Sequence, residues 1–363
     1  MRCYCENCRK NTRHKLTEEG ELVCRCGWYV IKKNRVNYMT SYLKKLILGN
    51  RKVFDFIGTS KIYKSIMMHL VRREIDRTHK NNDYILCLET TTLCNAKCTF
   101  CVHPNMTRQK TLMTDVVFDD ILKKLDFVPV GISMNGMGDP LTDSKIFDRI
   151  KVLRDRFPST KIKFHTNLAL LKDDKIFNSG LSEVNVSFNG LNKEEYERRM
   201  GLTYTLSLYN LHELIRVNNG KMAIKISCVL EDYTGRQKEM AEFKRHWESK
   251  PNVVVTFNIQ TGWLGKVATD IEFDPKPLPC RQPFKIININ PIGNMFLCCL
   301  DANQDFIWGN IKDYNSLTDA IKSRKETEMY KNHLNQKVRN IEICKHCDFD
   351  SLHGLDWLKA GEV

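Results

Sequence analysis

From residue 84 onward the chain alternates short apolar runs with segments whose apolar residues recur every three or four positions. The runs are YILCLET (84–90), VGISMNG (130–136), KIKFHT (161–166), EVNVSF (183–188), AIKISCVL (223–230) and VVVTFNI (253–259), each of strand length. Between them, TDVVFDDILKKLDF sets Phe118, Ile121, Leu122 and Leu125 on one helical face behind Thr114, a side chain suited to an N-cap. DSKIFDRIKVLRDRFP does the same with Ile146, Phe147, Ile150 and Leu153 and stops before Pro158. RQKEMAEFKRHWESK supplies a later helix. Six strand–helix repeats with nearly continuous apolar strands predict a parallel sheet covered by helices. A doubly wound sheet and a barrel both satisfy that pattern. In either, chemistry belongs at the C-terminal ends of the strands.

The first 80 residues read differently. They carry 19 Lys and Arg against 7 Asp and Glu, whereas the remaining 283 carry 38 against 36. The net charge of +14 therefore belongs mainly to an N-terminal appendage. Such a segment suits a polyanion such as nucleic acid, or else an acidic protein, or only a solvated basic face. Within it, CENC (Cys5, Cys8) and CRCG (Cys24, Cys26) flank an insert in which Glu18-Glu19-Gly20 reads as a turn between two short strands. Two cysteine pairs joined by a hairpin describe a zinc ribbon, although C-x-C departs from the usual C-x2-C knuckle and Cys3 is a spare thiol. So small a module has little core, and the metal would supply folding energy. Residues 36–82 then read as a basic helical connector, with Ile62, Ile66, Met67 and Leu70 at helical spacing and a polar turn at 79–83.

The chain has 363 residues, enough for two or three domains, and its 42% hydrophobic and 28% charged content is ordinary for a globular protein. No apolar run is long enough to span a membrane, and MRCYCENCRK has no signal-peptide core. A cytoplasmic location is expected, in which fifteen cysteines point to metal or redox sites rather than disulfides.

One group of cysteines stands four residues beyond the first predicted strand. CNAKCTFC holds Cys94, Cys98 and Cys101, with no fourth cysteine beside them other than Cys87 inside the strand. A structural zinc would want that fourth ligand. A cubane iron–sulfur cluster held by three thiolates keeps one iron open to a substrate or cofactor.

The stretch LETTTLCNAKCTFC resembles the C-x3-C-x-aromatic-C motif of the radical S-adenosylmethionine (SAM) enzymes, with Phe100 as the aromatic residue. The resemblance implies that the open iron chelates SAM, and that reductive cleavage of SAM gives a 5′-deoxyadenosyl radical that takes a hydrogen from substrate. Three further stretches are similar to that family in the right order. NGMGDPL (135–141) resembles its Gly-Gly-Glu-Pro segment, implying SAM contacts at Gly136, Gly138 and Asp139, with Asp shorter than the usual Glu. HTN (165–167) ends the third strand as the family's Thr-Asn element does, implying Asn167. VNVSFNGLNKEEYERRMG resembles the fourth-strand segment, implying Ser187 and Asn189 near the SAM ribose and carboxylate. The architecture implied for residues 83–270 is a partial (β/α)6 TIM-type barrel within an α/β class.

Toward the C-terminus, Cys280, Gly293, Cys298 and CKHC (Cys344, Cys347) resemble the auxiliary-cluster domain of the SPASM and shorter twitch enzymes, here spanning 271–363. KIININPIGNMFLCC reads as a hairpin turning at Gly293. Cys298 and Cys299, as neighbours on its second strand, would point to opposite faces. The resemblance implies a closed 4Fe–4S site on Cys280, Cys298, Cys344 and Cys347, while a zinc site satisfies the same spacing. One set of ligands rather than two is the twitch form, as in 2-deoxy-scyllo-inosamine dehydrogenase. An oxidoreductase acting on a sugar or cyclitol alcohol, or on a peptide, is the implied activity, with an electron donor such as flavodoxin or ferredoxin. Nucleic-acid modification recruited by the zinc-ribbon-like residues 1–35 is the alternative. A non-catalytic iron–sulfur nucleic-acid-binding protein leaves the SAM-contact segments without a purpose. Trp263 and Asp301 lie where substrate could be met, though packing or a turn accounts for each equally simply.

Overall fold

Three of the six apolar runs become strands with the bounds read from the sequence, Lys161–Thr166, Ala223–Leu230 and Val253–Ile259, and the other three trim by one to four residues. The computed structural model describes residues 2–5, 10–16, 22–24 and 29–30, and residues 61–347 apart from 173, 219, 232–233, 269–279, 281 and 336. Two compact units divide between Ile66 and Met67. In the first, β1 (Arg2–Cys5), β2 (Lys10–Leu16), β3 (Leu22–Cys24) and β4 (Tyr29–Val30) pair in chain order as an antiparallel sheet. Cys5 and Cys24 end β1 and β3, whereas Cys8, Cys26 and the Glu18-Glu19-Gly20 turn lie outside the described residues.

Helix α1 (Lys61–Asn81) runs through most of the expected polar turn, and Asn82, at φ 56°, redirects the chain. The second unit then builds β5 (Ile85–Leu88), α2 (Asp115–Lys124), β6 (Gly131–Ser133), α3 (Ile146–Arg156), β7 (Lys161–Thr166), α4 (Lys175–Asn178) and β8 (Glu183–Ser187). After them come α5 (Lys193–Met200), α6 (Tyr204–Asn218), β9 (Ala223–Leu230), α7 (Gln237–Glu248) and β10 (Val253–Ile259). Thr114 caps α2 by accepting from Val117 N at 3.3 Å, and Phe118, Ile121, Leu122 and Leu125 are all buried. The chain ends with α8 (Gln282–Lys285), β11 (Ile286–Ile289), β12 (Asn294–Phe296), β13 (Ile307–Asn310), α9 (Leu317–Lys325) and α10 (Glu328–Leu334).

One nine-stranded sheet has the order β10-β9-β8-β7-β6-β5-β11-β12-β13. It is parallel from β10 through β11 and antiparallel across β12 and β13. Successive strands add on the same side, so right-handed crossovers put the helices that link the parallel strands on one face of the sheet. The core shows it: Leu86, Leu88, Ile132, Ile162, Phe164, Val184, Val186, Ile224 and Ile226 pack with Phe118, Ile150, Leu153, Leu211 and Trp247. Alternation then turns Cys87, Ser133, Lys163, His165, Asn185, Lys225 and Ser227 toward the uncovered concave side. This is a partial barrel; a doubly wound sheet would reverse its strand order and cover both faces.

The C-terminal hairpin forms around Gly293, whose φ of 84° suits a residue without a Cβ. Cys298 and Cys299 differ from the expectation, because β12 ends at Phe296 and both cysteines fall in the turn after it. Asp301 N donates to Cys298 O (3.1 Å), and the Asp301 carboxylate accepts from Asp305 N and Phe306 N, which bends the chain there. Asp301 is thus a turn-capping residue. Among the described residues no helix is long and apolar enough to cross a membrane.

Candidate active site

The segment after β5 folds into a loop clamped at both ends. Thr92 N donates to Thr111 O (2.9 Å), Thr111 N donates to Thr92 Oγ1 (2.5 Å), and the buried His103 ring bonds Thr92 O at 2.8 Å. The loop also docks on the end of α5, with Lys97 N donating to Met200 O (3.0 Å) and Thr99 N to Arg199 O (2.9 Å). These bonds bring Cys94, Cys98 and Cys101 together as partly buried thiols. Burial pushes Cys94 up to about 11 and Cys98 up to about 12, the latter raised further by Cys101 and Cys94, and burial raises Cys101 as well. Any metal or cluster held by these sulfurs would have to displace their protons. Two sulfurs already have donors suited to thiolate: Ala96 N to Cys94 Sγ (3.5 Å) and His103 N to Cys101 Sγ (3.4 Å).

Phe100 is fixed on both sides. The Arg199 guanidinium lies 4.9 Å over its ring, and the Trp263 indole N–H donates to its carbonyl at 2.9 Å. Trp263, Leu264 and Gly265 all have positive φ (49°, 60° and 81°), a strained run that this contact helps to hold. Arg199 is 1% exposed and is itself anchored to Glu231 (2.6 Å) and Val229 O (2.9 Å).

The Gly-rich segment after β6 packs against this loop so closely that side chains have no room. A Cβ on Gly138 would stand 2.5 Å from the carbonyl oxygens of both Thr91 and Leu93, and one on Gly136 would collide with Glu89. Gly138→Ala is accordingly expected to push the segment off the cysteine loop, at about 1–3 kcal/mol in stability, and to weaken SAM binding at least about tenfold. Equilibrium dialysis with SAM, beside urea unfolding, checks it; unchanged affinity would refute it.

Asp139, 4% exposed, does not project from the segment. Its carboxylate accepts from Leu141 N (3.0 Å), Thr166 Oγ1 (2.9 Å) and Asn167 N (2.8 Å), and burial raises its pKa against these bonds. Asn167 in turn donates to Asn95 Oδ1 (2.9 Å), which ties β7 to the cysteine loop. Asn189 Oδ1 accepts from Val229 N (2.8 Å) while its amide contacts Met200 Sδ (3.0 Å). Ser187 stands half-buried at the end of β8, opposite Ser227. Of the residues expected from the sequence to meet SAM, Asp139 and Asn189 are held by bonds within the protein, while Ser187 stands half-buried at the strand end.

The sequence pattern did not single out Glu89, the residue ending the first apolar run. Glu89 is 1% exposed and pairs with Arg108 (2.6 Å) while accepting from Met137 N (2.8 Å) and Gln304 Nε2 (3.4 Å). Arg108 Nε donates to Ala302 O (2.5 Å). One buried carboxylate so joins the first strand, the Gly-rich segment, the cysteine loop and the turn after Cys298. An acidic residue closing an apolar strand was the signal available in the sequence.

In the C-terminal part, Cys298 is half-buried in its turn and accepts from Leu300 N (3.3 Å), whereas Cys299 is exposed. Cys344 lies in a 3-10 turn (Glu342–Cys344), with Cys347 N bonded to its carbonyl (3.4 Å) and the buried His333 ring 3.8 Å from its sulfur. Cys280 precedes α8. Among the described residues no three His, Cys, Asp or Glu side chains converge tightly enough to hold a single metal ion.

Residues 88–243 match the radical SAM superfamily, and residues 280–348 match an iron–sulfur cluster-binding domain, SPASM. The chain carries a radical SAM domain followed by a SPASM domain. No curated protein sequence matches it significantly. Among solved structures, SuiB of Streptococcus suis bound to precursor peptide SuiA is similar at 14% identity and TM-score 0.55, over 92% of this chain and 93% of that one. BtrN in complex with AdoMet and 2-DOIA is similar at 16% identity and TM-score 0.51, over 74% and 94%. The anSMEcpe complex with AdoMet and the Cp18Cys peptide gives 16%, 0.53, 74% and 87%. At these identities the likeness is one of fold, and it agrees with the partial barrel and C-terminal extension seen here. The radical SAM domain is an enzyme domain of SAM and iron–sulfur chemistry. The cysteine loop fits that cofactor set: three thiols on one clamped loop, N–H donors on two sulfurs, and a glycine backbone pressed against the rim.

Proposed function

We propose that this radical SAM enzyme reductively cleaves SAM and abstracts a hydrogen atom from a small polar molecule, such as a sugar or cyclitol alcohol, or from a peptide. A net oxidation is the expected outcome, assisted by an auxiliary 4Fe–4S cluster. The observation that carries this reading is the meeting, at one end of a parallel sheet, of Cys94, Cys98 and Cys101 with the Gly136–Gly138 backbone and the Asp139–Thr166–Asn167 latch. When bound, the cluster and SAM supply a radical able to take an unactivated hydrogen. The three thiolates would hold the cluster, with Arg199 and Trp263 fixing Phe100 between them and the barrel. Gly136, Gly138, Ser187 and the backbone around Asn167 and Asn189 would line the SAM site. Asp139 keeps that rim in register rather than meeting SAM itself.

On this reading residues 83–270 form the catalytic barrel, and 271–363 the auxiliary-cluster domain, with Cys280, Cys298, Cys344 and Cys347 as ligands. Residues 1–35 would hold zinc through Cys5, Cys8, Cys24 and Cys26, and 36–82 would connect them to the barrel. The substrate range is supported by the same fold having been solved with 2-DOIA in BtrN and with peptides in SuiB and anSMEcpe. The test is anaerobic reconstitution with iron, sulfide and zinc quantified, then reaction with SAM and dithionite or a flavodoxin. Two four-iron clusters, one zinc and release of 5′-deoxyadenosine are expected. A protein that binds both clusters yet never cleaves SAM would defeat the reading.

A further inference from the structure

The concave side of the sheet carries charge that the mechanism above leaves unused. In the strand register His165 of β7 pairs with Asn185 of β8, and Asn185 pairs with Lys225 of β9, so the three share one face and one level. Lys163 lies on that face two residues below His165, beside Ser133 of β6 and Glu183 of β8. The alternate residues Ile162, Phe164, Val184, Val186, Ile224 and Ile226 fill the helix-covered core, which fixes the direction of the polar set. Asn167, just past the end of β7, and Ser187, at the end of β8, follow two residues later, so the group sits about 7 Å beneath the rim proposed for SAM.

Both lysines are half-buried, and among the described residues neither ammonium forms an ion pair or a hydrogen bond. Glu183 is the nearest acid on the deep side, and Glu89, on the rim above, is committed to Arg108. Burial first, then Lys163 and Lys225, push His165 down to about 4, so its ring is neutral near pH 7 and offers an N–H without charge. Glu183 stands beside Lys163 in the register, yet among the described residues it closes no salt bridge to it, and an anionic ligand between the two ammonium groups would complete both.

We infer that the substrate carries an anionic group, a phosphate or a carboxylate, that seats on Lys163, Lys225 and His165 inside the barrel. This rests on the proposed function for its position beneath the reacting end, but the anion site itself does not need SAM. An anchored acid would hold the rest of the substrate against the rim, where orientation governs which hydrogen is taken.

The full-length reconstituted protein is titrated calorimetrically with inorganic phosphate and, separately, with acetate, at ionic strength fixed by chloride. Saturable binding of at least one is expected, weakened at least about tenfold in Lys163→Met and in Lys225→Met and largely kept in Lys225→Arg. Binding of neither anion overturns the inference. So does binding that both methionine variants retain, as when phosphate occupies only the basic first 80 residues. Amine acetylation read by mass spectrometry on the unmodified protein needs no variant: the bound anion should protect Lys163 and Lys225 but not exposed Lys123, and equal labelling of all three refutes the site. SAM cleavage by the unmodified protein is followed in parallel. Protection without cleavage leaves the anion site standing and defeats the radical reading, whereas cleavage without protection does the reverse.

Discussion

Cys98→Ala is expected to bring 5′-deoxyadenosine formation to background, a fall of at least about a hundredfold, the scale on which even outer partners of a metal site act. Cys98 lies near both other thiols, whose charges raise it beyond the effect of burial. On the proposed reading its removal leaves two of the three thiolates that would hold the cluster. The loop should stay folded, because its docking on α5 runs mainly through the backbone N–H groups of Lys97 and Thr99, the Cys98 sulfur adding only long contacts to Met200 (3.6 and 4.0 Å). Iron should drop by the content of one cluster, with the SPASM site still loaded. Full SAM cleavage by the variant, measured by chromatography of the anaerobic reaction, would remove the central assignment.

Glu89→Gln is expected to cost about 3 kcal/mol of stability and to loosen SAM binding, although Glu89 is outside the cysteine motif. The buried carboxylate serves Arg108 at 2.6 Å and Met137 N at 2.8 Å. Both bonds end on Oε1, so a glutamine oxygen can still accept them, but the neutral amide leaves the Arg108 guanidinium without its countercharge and turns an NH2 toward the Gln304 amide. Breaking one side of a buried pair costs about 3–5 kcal/mol, and the lower figure applies because the Arg108 side chain keeps 14% exposure. Against the 5–15 kcal/mol that stabilises a typical domain, that is a large fraction. Gln304→Ala should cost much less, since its bond to Glu89 is 3.4 Å long. The urea midpoint gives the first reading, and faster amide exchange at Met137 the second. A midpoint that moves no more than in Gln304→Ala would show that Glu89 is not the joint described.

Local pattern carried much of the fold. Phe118, Ile121, Leu122 and Leu125 had to share a helical face because that spacing allows nothing else, and Thr114 could cap because its hydroxyl reaches Val117 N. Strands such as Ala223–Leu230 were bounded by the change from apolar to polar residues. The turn holding Cys298 and Cys299 was less legible, because its bend comes from Asp301 accepting two backbone N–H groups downstream. The partners of Asp139 and Asn189 were not legible for a related reason: the bonds to Thr166 with Asn167 and to Val229 link segments far apart in the chain.

What the sequence determined by itself was the composition of the site: three cysteines at close spacing, glycines where backbones touch, and a run of strands that bring their ends to one edge. These follow from spacing and residue chemistry over a few neighbours. Only the tertiary structure decided that the sheet forms a partial barrel with its crossover helices on one face. Strand order is a relation between segments far apart in the chain, which periodicity does not encode. It likewise decided that Glu89 joins four segments, that Arg199 and Trp263 hold Phe100 from two sides, and that Lys163, Lys225 and His165 share one inner face. Each of those is a meeting of residues set by register and crossover, and its energy exists only once the chain has closed on itself.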